Sequence, residues 1–278
     1  CLVGSEMCIR DRYTSYKIVQ RMKTMNVFLK HIYEYEQKGI RIITKYDEEY
    51  PQILSKKMKK NAPTCLFVIG NLPVEFEGIS LTGLQTVTKK EKGCIKRLVD
   101  KINNENKWLI SNDCKGVDQE AFQYALHHHG HIISFLCEKM EDKAMEYKRY
   151  IRSGNLVLLS AIDPIKRFTV THAIDRNSYV CGLSKFQVVV SSKINSGATW
   201  FTIMHNMHHN WTISLVIDND CFGNQRLLEM KTTPLYVKNI VSDMSFEMIY
   251  NENKKEEVEE EINIDQMSIF EFIGDANG

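Results

Sequence analysis

The sequence contains no CxxC pair, no long apolar run and almost no net charge, and each absence narrows what the chain can be. Its eight cysteines, Cys1, Cys8, Cys65, Cys94, Cys114, Cys137, Cys181 and Cys221, are scattered, mostly within apolar runs. They read as buried free thiols in a reducing cytoplasm. No segment approaches the roughly 18 to 20 uninterrupted apolar residues that span a bilayer, so a soluble protein without membrane partners is expected. Neither GxGxxG nor GxxxxGK[ST] occurs, which disfavours a standard dinucleotide or P-loop site. No Ser/His/Asp or Cys/His set has convincing spacing for nucleophilic catalysis, and the protein is expected not to be an enzyme.

What is present is enough apolar material for a core: 43% of 278 residues. Disorder throughout is therefore excluded. The net charge of +1 hides an asymmetry, because residues 251–278 carry two Lys against nine Asp and Glu. The body is left with 34 basic and 26 acidic residues. A mildly basic body suits a polyanion partner, although a solvated surface of mixed charge explains the same numbers.

The opening, CLVGSEMCIRDR (1–12), fits neither a signal peptide nor a domain start. It resembles translated sequencing-adaptor sequence, and the native N-terminus is expected to be missing. Residues 13–38 carry apolar positions at helical spacing, ending at Gly39. From there the chain alternates. Strands are expected in IRIIT (40–44), Cys65 to Ile69, GISLT (78–82), KWLIS (107–111), HIISFL (131–136), NLVLLS (155–160), FQVVVS (186–191) and TISLVI (212–217). Between the later ones lie helical stretches at 94–106, 116–130, 140–154, 173–184 and 197–209. Strands apolar on both faces, separated by helices, predict an α/β sandwich on a mostly parallel sheet.

Sites in such sheets gather at the carboxyl ends of strands, beside helix N-termini. Four loops there carry small or polar residues: Thr82-Gly83, Ser111 to Asp118, Arg176-Asn177 and Ser196-Gly197. Phosphate binding needs backbone N–H groups open to close approach and one or two cations. Gly83, Gly116 and Gly197 offer the first, Arg176 and Lys115 the second. The competing explanation is that the glycines only make tight turns while Arg176 pairs with Asp175 or Asp118. Asp118, in the first turn of its helix, is favoured by the helix dipole whatever the function, so capping is its simplest role.

Several segments, GIRIITKYDEEYPQIL, APTCLFVIGN, LISNDCKGVDQEAFQYAL, RNSYVCGLSKFQVVVSSKINSG and GNQRLL, fall in the order and spacing of the DNA-processing protein DprA (Smf) family. The resemblance covers about residues 39–240. It implies an extended Rossmann-like three-layer sandwich over residues 39–250 that binds single-stranded DNA, forms a homodimer and helps to load the recombinase RecA, with no catalytic step and no cofactor or metal. The family's S-G-x-A-x-G-x-D loop corresponds to Ser111, Asn112, Asp113, Cys114, Lys115, Gly116, Val117 and Asp118. Its R-N-R segment begins at Arg176 and Asn177, its S-G pair is Ser196 and Gly197, and a later G-x-N-type turn is Gly223-Asn224. The resemblance thus implies a phosphate site of Gly83, Ser111, Lys115, Gly116, Asp118, Arg176, Asn177, Ser196 and Gly197. Three positions depart from the pattern. Gly83-Leu84-Gln85 replaces G-S-R, Ser178 replaces the second Arg, and Ser191 replaces a Glu. Two other readings stay open: a small-nucleotide sensor or hydrolase using the same pocket, and a clamp-tethered adaptor whose pocket is vestigial.

Stacking surfaces for bases are available in Trp108, Phe168, Tyr179, Trp200 and Trp211, most of them expected in the core. The histidines at 127–129 and 131, and at 205, 208 and 209, lie near helix C-termini, where imidazolium is favoured. They lack ligand-spaced partners for a metal. Residues 251–278 read as an acidic disordered tether. On it Gln266, Met267, Ser268, Ile269 and Phe270 resemble the peptide motif that binds the bacterial sliding clamp.

Overall fold

The computed structural model describes residues 29–164 and 169–254. The adaptor-like stretch, Phe168 and the segment Gln266 to Phe270 lie outside the described residues. Residues 29–37 form α1, which stops where Gly39 takes a φ of 74°, a conformation that costs glycine little. There follow β1 (Arg41–Thr44), α2 (Gln52–Met58), β2 (Cys65–Ile69), β3 (Gly78–Thr82), α3 (Lys89–Asn104), β4 (Trp108–Ser111), α4 (Val117–His127) and β5 (His131–Leu136). The chain continues through α5 (Met140–Glu146), α6 (Lys148–Arg152), β6 (Leu156–Ser160), α7 (Val170–Leu183), β7 (Ser184–Val189), α8 (Gly197–His209), β8 (Ile213–Ile217), α9 (Phe222–Glu229), β9 (Thr233–Leu235) and α10 (Val237–Val241). A last helix, α11, covers 246–254.

The strands form one sheet in the order β1-β2-β6-β5-β4-β3-β7-β8-β9. Seven strands, from β6 to β9 in that order, are parallel, and β2 and β1 add an antiparallel edge. The apolar runs of the sequence follow from burial on both faces. Along β6, Leu156 and Leu158 enter one core while Val157 and Leu159 enter the other. The first face is covered by α1, α3, α4, α5, α10 and α11, through Tyr35, Leu98, Phe122, Met140, Ile240 and Phe246. The second is covered by α2, α7, α8 and α9, through Leu54, Leu183, Trp200 and Leu227. Helix, sheet and helix layers make the expected Rossmann-like sandwich.

Four details differ from the pattern expected of the sequence. The helix at 140–154 breaks at Tyr147 into α5 and α6. Strand β9 was not expected; its Pro234 is tolerated because β9 is an edge, where one side of the ladder needs no donor. Gly223-Asn224 is not a turn but the start of α9. Gly223 passes so close to Ser192 that a Cβ would lie 2.2 Å from its carbonyl oxygen. Residues 251–254, placed by composition in the disordered tether, continue α11, and Asn253 Nδ2 donates to Pro234 O at 2.6 Å.

Asn224 has no solvent exposure. Its amide donates to the carbonyls of Val190 (3.1 Å) and Ile217 (3.0 Å), and its oxygen accepts from Ser192 Oγ at 2.9 Å. One side chain thus satisfies the carboxyl ends of both β7 and β8. Asn224→Ala, which leaves these groups buried without partners, is expected to lower unfolding free energy by about 2–4 kcal/mol in denaturant titration.

Candidate functional site

β3 and β7 are neighbours, yet the chain leaves β3 through α3 on one face and leaves β7 through α8 on the other. Loops that part in this way open a crevice at the strand tips. A cavity of about 350 Å³ fills it. Gly83, Lys115, Asp118, Arg176, Asn177, Ser196 and Gly197 all line it, so seven of the nine residues expected from the sequence converge. Ser111 and Gly116 do not reach it.

Those two residues hold the β4–α4 loop from behind. Ser111 is fully buried, and its hydroxyl donates to Asp118 Oδ2 at 3.1 Å. Asp118 also accepts from the backbone N–H of Cys114 (2.8 Å) and Asn112 (3.3 Å). These donors precede α4, so the carboxylate clamps the loop and is not the helix cap expected. Nor does it pair with Arg176. Gly116 has a φ of 105°, and a Cβ there would lie 2.2 Å from Leu84 O. The adjacent Val117 N–H donates to that same carbonyl at 3.2 Å. Gly83 is similarly tight, with its missing Cβ 2.4 Å from Val117 Cγ2. The bare faces of Gly83 and Gly116 are therefore used for packing the β3 and β4 loops together, a correction to the expectation that they lie open to an anion.

Gly197 is the open one. Its φ is 81° and nothing lies within 4 Å of where a Cβ would stand. It starts α8 behind Ser196, whose side chain makes no capping bond, so first-turn N–H groups and the positive end of the helix face the cavity. Thr199 Oγ1 donates to Gly83 O at 2.8 Å and fixes α8 against the β3 tip.

Arg176 reaches the cavity from α7. Its guanidinium donates to Cys137 Sγ at 3.2 Å and to Asn177 Oδ1 at 3.2 Å. Among the described residues no carboxylate forms an ion pair with it. Burial pushes the Cys114 and Cys137 thiols up from their ordinary value, against the pull of Arg176, which keeps them neutral. Arg176 is thus oriented without being neutralised. Asn177 Oδ1 also accepts from Asn112 Nδ2 at 3.0 Å, and its amide donates to Thr202 Oγ1 at 3.3 Å, joining α7 to the β4 loop and to α8. Lys115 is exposed at the rim.

The sequence reading missed the floor. Ser80 and Gln187 are register partners on β3 and β7, each almost wholly buried. Ser80 Oγ, Gln187 Oε1, Asn112 Oδ1 and Arg176 Nε are buried without a hydrogen-bond partner among the described residues. All four residues line the cavity. Polar side chains inside the apolar runs GISLT and FQVVV were the available signal. Also missed was Phe201, 61% exposed on α8 beside Ile174, 56% exposed on α7. They line an apolar groove of about 490 Å³ that shares Arg176, Asn177 and Thr202 with the cavity. Of the aromatic candidates, Trp200 and Trp211 are core residues, and Tyr179 packs on Phe135 with centroids 5.3 Å apart. The departures are absorbed locally. Ser178 Oγ donates to Ile174 O, Ser191 Oγ accepts from Leu84 N–H, and Gln85 stands exposed at the cavity wall. Among the histidines, His127 Nδ1 lies 2.6 Å from Gln123 O and His128 stacks on Tyr124, while His209 stacks on Trp211.

Residues 41–245 match the family described as DNA recombination-mediator protein A. Among solved structures, the chain is similar to DNA processing protein A (DprA) from Streptococcus pneumoniae at 20% identity and a TM-score of 0.64, over 77% of this chain and 78% of that one. It is similar to DNA processing protein A from Helicobacter pylori, a structure concerned with that protein's single-stranded DNA binding mode, at 17% identity and a TM-score of 0.60, over 73% of this chain and 94% of that one. No curated protein sequence matches the chain.

Burial pushes the Asp118 carboxyl up to about 7, against the N–H groups of Cys114 and Asn112 and the Ser111 hydroxyl, which favour ionisation. The unfolded carboxyl titrates near its ordinary 3.8. Between these limits the folded state holds the extra proton, so this group's contribution to stability is full at the acid end and falls as pH rises towards 7. Asp118→Asn keeps the acceptor for the loop N–H groups and removes the titration. In urea unfolding across this window, the variant is expected to gain on the native chain as pH rises.

Proposed function

The chain belongs to the DNA recombination-mediator protein A family, and we propose that it binds single-stranded DNA with the backbone held at the switch-point cavity and acts without catalytic turnover. The observation that carries this reading is the convergence of the α8 N-terminus, Arg176 and Lys115 on one cavity in which Arg176 has no carboxylate partner among the described residues. Fixed backbone dipoles and an oriented guanidinium recognise phosphate through charge-assisted hydrogen bonds. The neighbouring groove, with Phe201 and Ile174, suits the faces of unstacked bases. Loading of RecA and action as a homodimer belong to the same reading, through the family. So does a tether to the sliding clamp through Gln266 to Phe270, on the strength of sequence alone.

One observation favours a second reading. The four unpartnered polar atoms in the cavity wall could pair with the edge of a single base, which suits a small-nucleotide sensor. Competition between single-stranded DNA, duplex DNA and mononucleotides separates the two. Thermal stabilisation by mononucleotides without DNA binding would select the sensor.

Arg176→Ala combined with Lys115→Ala is expected to weaken single-stranded DNA binding by about 10- to 100-fold and to reduce the slope of log K against log salt by about 1.4, as two phosphate contacts are lost. Unchanged affinity would remove the cavity from the interface. Gln85 stands on the cavity wall where the family pattern places an Arg. Gln85→Arg is expected to tighten binding about tenfold in the same fluorescence-anisotropy assay, by one charge-assisted contact.

A further inference from the structure

Lys89, Lys90, Lys92, Lys96 and Arg97 are all exposed on α3, the helix that begins just beyond the cavity-lining loop of Leu84 and Gln85. Of these five only Lys92 has a carboxylate partner among the described residues, Glu120 at 2.5 Å. Glu91, the acidic residue of the first turn, is spent in a capping box with Thr88. Three of the cations sit in the first turns of the helix, where the dipole disfavours positive charge, so helix stability does not account for them. Amid them lies Gly93, exposed in the helix interior, with an ordinary helical backbone and nothing within 4 Å of where a Cβ would stand. Among the described residues neither backbone conformation nor packing calls for glycine there, and no contact among them offsets its cost to the helix. A glycine so placed leaves the helix surface bare, which admits another backbone to close range. Beside it, a groove of about 300 Å³ between α3 and α4 is lined by Lys92, Lys96, Glu120, Tyr124 and His128, with Lys96 over the Tyr124 ring at 5.5 Å and His128 stacked on it.

Unpaired cations and a bare backbone face on one helix together match an extended anionic strand. We infer that the outer face of α3 is a second nucleic-acid contact, which takes the single strand on from the switch-point cavity and makes the binding site longer than the cavity alone. The inference rests on the single-strand reading of the cavity and adds a path to it.

The test compares oligothymidylates of about 5 and about 25 nucleotides, a span chosen to bracket the site sizes of single-strand binders. The full chain is measured beside the quadruple variant Lys89→Gln, Lys90→Gln, Lys96→Gln and Arg97→Gln. The variant is expected to bind the short oligomer as the native chain does and the long one about tenfold more weakly, with a salt slope smaller by about 2 to 3. Gly93→Gln is expected to unfold at a higher temperature while losing affinity severalfold for the long oligomer only, a combination that damage to the fold does not produce. Equal affinity of the quadruple variant and native chain for the long oligomer would overturn the α3 contact. The cavity reading would survive if Arg176→Ala still weakened both lengths. Loss confined to α3 variants would instead uphold α3 and overturn the cavity. Failure of the native chain to bind either oligomer would overturn both.

Discussion

The site depends on one carboxylate. Asp118 collects two backbone N–H groups and a hydroxyl from the loop that precedes its own helix. That loop includes Asp113 at a φ of 50°, whose N–H donates to Ser111 Oγ at 3.0 Å and whose carboxylate pairs with Lys143 at 2.5 Å. With the loop so drawn in, Asn112 meets Asn177 on α7 and Lys115 is left at the rim. Without an acceptor there, several buried donors would compete for water, and the β4 tip would lose its relation to α7. The carboxyl carries the cost of its own desolvation, which shows as its raised titration.

The second constraint is how to keep a cation ready inside a partly buried site. A carboxylate partner would hold Arg176 firmly and cancel it. A neutral thiol and an amide oxygen orient the guanidinium while leaving its charge for a ligand. The α8 terminus works in the same sense, since its dipole is fixed and needs no counter-ion. Arg176 and the α8 terminus thus bring positive charge to the cavity through preorganised groups, which the near-neutral formal charge of the whole chain does not reveal.

The exchange of G-S-R for Gly83-Leu84-Gln85 has a structural counterpart. The tip of β3 is held by packing, with Gly83 against Val117, Gly116 against Leu84, and Ser191 receiving the Leu84 N–H. This architecture sets the position of residue 85 whatever its side chain. Gln85 is exposed and its side chain takes no part in these contacts, so a change of that side chain leaves the loop's packing in place.

Much of the architecture was legible in the chain itself. Cys65–Ile69 and His131–Leu136 are strands at the residues where apolar runs and turn signals put them, because helices cover both faces of the sheet and burial on both faces requires such runs. Seven cavity residues were legible too: Gly83, Lys115, Asp118, Ser196 and Gly197 belong to strand-to-helix loops or the helix turns just after them, which end at one edge of any such sheet, whereas Arg176 and Asn177, expected in such a loop, reach that edge from inside α7. Local pattern could not supply what depends on distant partners: the break at Tyr147, the edge strand with Pro234, and the difference between Gly116, closed against Leu84, and Gly197, open to the cavity. Nor could it show that Ser80 and Gln187, more than a hundred residues apart, would lie side by side with unpaired polar atoms. Residue type and spacing determined which groups were present and which edge of the sheet would hold them. Only the crossover that returns the chain from β6 past β3 to β7 decided which of those groups would face one another, because contact between strand tips is set by sheet order and not by distance along the chain.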